Sequence, residues 1–166
     1  MREKGAKTMA SWSRPAGPGA DRRLCLLLAA LAALAGGHAA LAAGPSLSLQ
    51  DAWFRMVVPG RPAAGYFTLR NDGDTRATLV GAASPACGMA SLHRSMESDG
   101  VVKMVPVEAI AVPAHGELRF APGGYHVMCM QPAAAMAPGA AVSLTLRFAD
   151  GTSLTAQVPV KSATGG

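Results

Sequence analysis

The chain has 166 residues with a formal net charge of +5, and that charge is unevenly placed. Arg2, Lys4, Lys7, Arg14, Arg22 and Arg23 against Glu3 and Asp21 fall in the first 42 residues, leaving nine basic and eight acidic residues, a balance of +1. The arginines that remain are scattered singly, which excludes a basic nucleic-acid footprint.

The N-terminal segment reads as a secretory signal peptide over residues 1–42. Arg22 and Arg23 precede the apolar run Leu24 to Leu34, and Ala40-Leu41-Ala42 fits the A-x-A cleavage pattern. A membrane-spanning helix is the competing reading and needs about 20 apolar residues. Leu24 to Ala43 approaches that length, but Gly36, Gly37 and His38 interrupt it and no charged cluster follows. The expectation is export to the periplasm, with no stable membrane insertion once the leader is removed.

Residues 43–166 have the size of one domain with its own core. Cys25 departs with the leader, so the exported part keeps Cys87 and Cys129. An even count in an oxidising compartment favours a disulfide between them. The rival is a reduced thiol that captures metal or senses redox state.

Taken in order, Leu47, Leu49, Ala52 and Phe54 make a loosely alternating strand, followed by a loop through Pro59-Gly60-Arg61-Pro62. Ala64 to Arg70 predicts a second strand, closed by the turn residues Asn71-Asp72-Gly73-Asp74. Arg76 to Ala83 predicts a third, and Met89 to Met96 a fourth. Ser98-Asp99-Gly100 is a hairpin signal leading into Val101 to Val105. Pro106, Pro113 and Gly116 punctuate the next region, with a strand at Glu117 to Phe120. Pro122-Gly123-Gly124 is a tight turn opening onto Tyr125 to Gln131. Pro132 to Ala141 is a Pro- and Ala-rich connection. Val142 to Phe148 and Ser153 to Val160 then form a hairpin, with Val142, Leu144, Leu146 and Phe148 on one face. No helical period is sustained outside the leader. Eight or nine short strands with closely spaced turns predict an all-β sandwich or barrel.

Four side chains stand out for chemistry: His93, Met104, His126 and Met128. Each offers an uncharged imidazole nitrogen or thioether sulfur, and thioether donors narrow the metal toward Cu(I). Alternation puts His126 and Met128 on one face of a strand and Cys129 on the other. His93 and Met104 flank the predicted hairpin, where cross-strand neighbours lie about 5 Å apart at Cβ. Singly, each has a plain structural reading, since Met is common core filler and His a common surface residue. As a set beside a Gly-Gly turn, they favour a metal site near a rim.

The spacing His93, ten residues, Met104, twenty-one residues, His126, one residue, Met128 resembles the signature of the PCuAC-type periplasmic copper chaperones. The text around the motif is similar as well: S-L-H, D-G-V-V-K-M-V-P-V, F-A-P-G-G-Y-H-V-M and the final L-T-L-R-F-A-D-G-T. The resemblance covers essentially all of the exported part. It implies a cupredoxin-like β-sandwich that binds Cu(I) outside the cytoplasm; a monomer is the separate expectation for the exported part. It further implies delivery toward the binuclear copper centre of haem–copper oxidases, with an oxidase copper subunit or an assembly factor as acceptor. Ser95 departs from the family pattern, because the position two after His93 often carries another potential ligand. Met96, on the opposite parity, is read as turn or core.

A His2Met2 set is neutral overall, carries no thiol to be oxidised, and depends on pH only through its imidazoles. Met89, Met130 and Met136 are candidates for an adaptable apolar rim or for ordinary packing. His115 sits in an expected exposed turn outside the site, and Trp53 and Tyr66 are read as core or rim aromatics. A copper storage or resistance protein is an alternative. An electron-transfer cupredoxin is another, but it needs a Cys thiolate beside two His and a weak axial Met. A plain exported β-sandwich for protein contacts is the third. No nucleophile–base pair or paired-carboxylate motif points to an enzyme.

Overall fold

The structure, a computed structural model, describes residues 44–163, and the expected leader lies outside them. Ten strands and no helix make up the described residues. In chain order they are β1 (Leu47–Arg55), β2 (Ala63–Asn71), β3 (Ala77–Ala83), β4 (Cys87–Ser98), β5 (Val101–Pro106), β6 (Ile110–Val112), β7 (Gly116–Phe120), β8 (Tyr125–Pro132), β9 (Ala141–Phe148) and β10 (Ser153–Lys161). The strand missed by the sequence pattern is β6. Its three residues between Pro106 and Pro113 are too few to show a period, and its pairing with β3 is long-range.

The hydrogen-bonded order is β5-β4-β8-β7-β2-β1-β10-β9-β3-β6, with β8 also paired to β2. β1 and β10 join in parallel over two residue pairs, Phe54–Val160 and Arg55–Lys161. The strands on either side of that junction bury their apolar faces in one core. Phe54, Leu69, Leu92 and Val127 come from one side, and Leu79, Leu144, Leu146 and Val158 from the other. The fold is the expected all-β, cupredoxin-like sandwich.

Local chemistry explains the key connections. In β9 the period of two buries Val142, Leu144, Leu146 and Phe148 together. Asn71, fully buried at the end of β2, accepts from the backbone N–H groups of Ser46 and Gly73. It also donates to the carbonyls of Thr75 and Pro113, so its buried amide is satisfied. Between β4 and β5, Asp99 and Gly100 have φ of 56° and 74°. Two successive positive φ values are the signature of a two-residue type I′ hairpin turn, for which Asp-Gly is suited.

Cys87 and Cys129 are joined in a disulfide, with Cα atoms 5.3 Å apart. Cys129 is fully buried on the core face of β8.

Candidate metal centre

The turn register fixes where the candidate ligands fall. Asp99-Gly100 makes Ser98 face Val101, so Ser95 faces Met104 and His93 faces Pro106. The expectation that His93 and Met104 confront each other is corrected by two pairs. Because the register is displaced by two residues, both side chains still stand on the same face. On the other edge of β4, His93 faces His126 and Ser91 faces Met128. All four candidates therefore share one sheet face, opposite the core-facing Leu92, Val127 and Cys129.

A cavity of about 470 Å³ opens on this face, and Met104, His126 and Met128 line it together with Ser95, Arg55 and Tyr66. His93 stands beside it, its ring nearly parallel to that of His126 with centroids 5.9 Å apart. Its Nδ1 lies 3.4 Å from Ser91 Oγ. Met104 is exposed, lying on the edge strand β5.

His126 is the most constrained member, with only 3% of its surface exposed. The turn ending at Gly124 directs that carbonyl back toward the strand. It accepts from the backbone N–H of Ser95 at 3.0 Å and lies 3.2 Å from His126 Nδ1. A carbonyl can only accept, so Nδ1 carries the proton and Nε2 presents its lone pair. Nε2 is buried and has no hydrogen-bond partner. Burial lowers the pKa of His126 from its ordinary value, the Gly124 hydrogen bond opposes this, and His93 lowers it further. The ring is held neutral, the state a metal ligand needs.

The described residues contain no cluster of three or more His, Cys, Asp or Glu able to hold a metal. A metal on this face would therefore depend on the thioethers of Met104 and Met128 as well as the two imidazoles. Such a donor set is soft and uncharged.

Other expectations fare variously. Met136 is buried in the core rather than at a rim. Met96 is exposed on β4 opposite Lys103, neither turn nor core, because the hairpin extends beyond the sandwich. Met89 and Met130 face each other two residues beyond Met128, outside the cavity lining. His115, in a positive-φ turn, pairs through Nε2 with Asp74 at 3.0 Å. Tyr66 lines the cavity and packs on Trp53 with centroids 5.1 Å apart. Sequence reasoning overlooked Arg55, whose long side chain enters the cavity from β1, because it lies far from the motif in sequence.

Comparison with known proteins places this geometry. The family model described as "Putative lipoprotein LpqE-like" matches residues 47–160, which span all four candidate ligands. The chain is 34% identical over 120 residues to "Putative lipoprotein Lxx21020" of Leifsonia xyli subsp. xyli, covering 72% of each. Among solved structures, the copper-bound PCuAC domain from PmoF2 superposes with a TM-score of 0.59 at 24% identity, over 73% of this chain and 96% of that one. The apo solution structure of DR1885 from Deinococcus radiodurans gives a TM-score of 0.55 at 28% identity, over 97% and 99%. Its CuI form gives 0.50 at 31% identity, over 82% and 89%. The chain belongs to the LpqE-like family, and its fold is that of the PCuAC domain.

Proposed function

We propose that this protein is an exported Cu(I)-binding metallochaperone whose ligands are His93, Met104, His126 and Met128. The observation that carries the reading is His126 Nε2: a buried, unpartnered lone pair held in the correct tautomer beside Met128 and Met104. Leaving a buried acceptor unpaired costs about 1–3 kcal/mol, a penalty that a bound cation would remove. The CuI form of DR1885 supports copper as the cargo. The lipoprotein name of the Leifsonia relative supports export. The exposed Met104 fits a site open to ligand exchange, through which copper passes toward the binuclear centre of a haem–copper oxidase.

An anaerobic Cu(I) titration against a chromophoric chelator tests the ligand set. The parent is expected to bind one equivalent tightly, and His126→Ala/Met128→Ala to lose it while keeping its β-sheet circular dichroism. Equal binding by both would overturn the assignment. Transfer separates a chaperone from a store: the loaded protein is mixed with a metal-free oxidase copper subunit and the two are resolved. Copper that remains behind would favour storage. The Cu(II) protein is expected to lack intense blue colour, because Cys129 lies on the opposite face of β8 in a disulfide.

A further inference from the structure

The cavity is far larger than an ion, and one of its walls carries a positive charge that the metal reading does not use. Arg55 faces Ala64, Ala64 faces Met128, and Met128 faces Ser91, a single row across β1, β2, β8 and β4. Strands lie about 4.8 Å apart, so Arg55 and Met128 are two strand spacings from one another. The one side chain between them is the methyl of Ala64, which leaves Arg55 free to lean over the sheet. It does so: Arg55 lines the cavity with His126 and Met128, its guanidinium carbon 5.8 Å from the Tyr66 ring centroid.

Arg55 Nε is buried and has no hydrogen-bond partner. The ion pairs among the described residues are Arg70–Asp72 and His115–Asp74, so no carboxylate of these residues neutralises Arg55. Lys161, its direct neighbour on β10, stands outside the cavity lining with its ammonium over the Trp53 ring, so Arg55 is the one Lys or Arg that lines the cavity. A guanidinium with a buried free N–H, in a cavity also lined by Val57, Val102 and Pro62, is an incomplete recognition element.

The geometry points to a carboxylate-binding site in this cavity, in which Arg55 receives a monocarboxylate with an apolar body next to the His126–Met128 edge. A carboxylate matches the planar fork of guanidinium and satisfies Nε together with a terminal nitrogen. One Arg among apolar walls compensates one negative charge. A phosphate dianion would leave one charge without a cationic partner, since no second Lys or Arg lines the cavity. The carboxylate could come from a free organic acid or from an acidic side chain of a partner protein, and the chemistry is the same. The inference does not depend on copper, since Arg55 is not one of the four candidate copper ligands and its unpartnered donor is its own.

The test uses the metal-free protein and follows the Arg55 Nε–Hε cross-peak by NMR, assigned through its loss in Arg55→Lys and Arg55→Gln. Propionate is titrated first, then acetyl-Leu-Glu-Leu-amide and its Gln counterpart, with phosphate at matched ionic strength as control. The expected result is a saturable shift of the Arg55 and His126 ring signals with propionate or the Glu peptide. Binding should weaken by about tenfold or more in Arg55→Lys, which keeps the charge but loses the fork. Saturation by the Glu peptide at about tenfold lower concentration than propionate would identify a protein side chain as the source. The reverse order would identify a free acid. No saturable shift with either probe, equal shifts of the His126 signals in Arg55→Gln, or an equal response to phosphate would each overturn the proposal. Cu(I) affinity measured in parallel is read separately, so failure here leaves the metal assignment untouched.

Discussion

At the scale of single residues, the chemistry turns on how His126 is held. Its alternation with Met128 was legible in the sequence, because strand parity alone puts positions 126 and 128 on one face. Its tautomer was not, since that depends on where the Gly124 carbonyl points after the turn closes. Burial lowers the His126 pKa below its ordinary 6.5. The unfolded chain therefore takes up a proton at a higher pH than the folded one. Stability is fully present above the unfolded value and falls as pH drops from about 6.5 toward the folded pKa, then levels off. Denaturant midpoints measured between pH 7 and pH 5 are expected to decline in the metal-free parent and to decline less in His126→Gln. An unchanged slope in the variant would mean that His126 is not the group responsible. Met128 gives a complementary separation. Met128→Leu nearly conserves volume and is expected to change stability by less than about 1.5 kcal/mol. Its Cu(I) affinity should fall by at least the ~10–100-fold that loss of an outer-sphere partner costs a metal site. The competition titration and a urea melt on the same sample read both quantities.

At the scale of elements, the β4–β5 hairpin decides whether Met104 takes part. The residues of β5 are mostly exposed, so little burial holds their register and the turn must set it. Gly100 has φ of 74°, a region costly to a β-branched residue. Gly100→Val is expected to cost about 1–2 kcal/mol locally. It should loosen the Ser95–Met104 pairing and weaken Cu(I) binding while the core melt shifts little. Amide exchange across β5 would show the loosening, and unchanged protection there would contradict it. This hairpin also marks the limit of what the sequence discloses. The Ser98-Asp99-Gly100 signal located the turn, and period-two alternation located the face. The pairing of Met104 with Ser95 rather than His93 emerges only once the turn is known to contain two residues. The direct opposition of His93 and His126 needs the long-range pairing of β4 with β8, which no local pattern encodes. Arg55 was missed for the same reason: its neighbourhood with Met128 arises through two intervening strand pairings.

At the scale of the molecule, the sandwich keeps two jobs on opposite sides of β8. Val127 and Cys129 anchor the strand in the core, while His126 and Met128 face the cavity. The disulfide ties β8 to the start of β4 across a sequence separation of 42 residues. A closed loop of this length restricts the unfolded chain, and loop-entropy arguments put its effect at about 4 kcal/mol, with measured values near 2–4 kcal/mol. Cys87 begins β4 and Cys129, although next to Met128 in the chain, is buried on the core face of β8, so the crosslink should stabilise the scaffold without joining the metal chemistry. Cys87→Ala/Cys129→Ala is therefore expected to lower the stability measured by urea denaturation by about 2–4 kcal/mol. At temperatures where the variant is folded, it should still bind one equivalent of Cu(I) with affinity close to that of the parent. Reduction of the parent probes the rival role for the thiols. If they capture metal, the reduced protein will take up a second equivalent that the double variant lacks. If the crosslink instead sets the position of β8, the variant will lose the first equivalent as well. Retention of a single equivalent in all three forms would assign the cysteines to the fold and the copper to the opposite face of the strand.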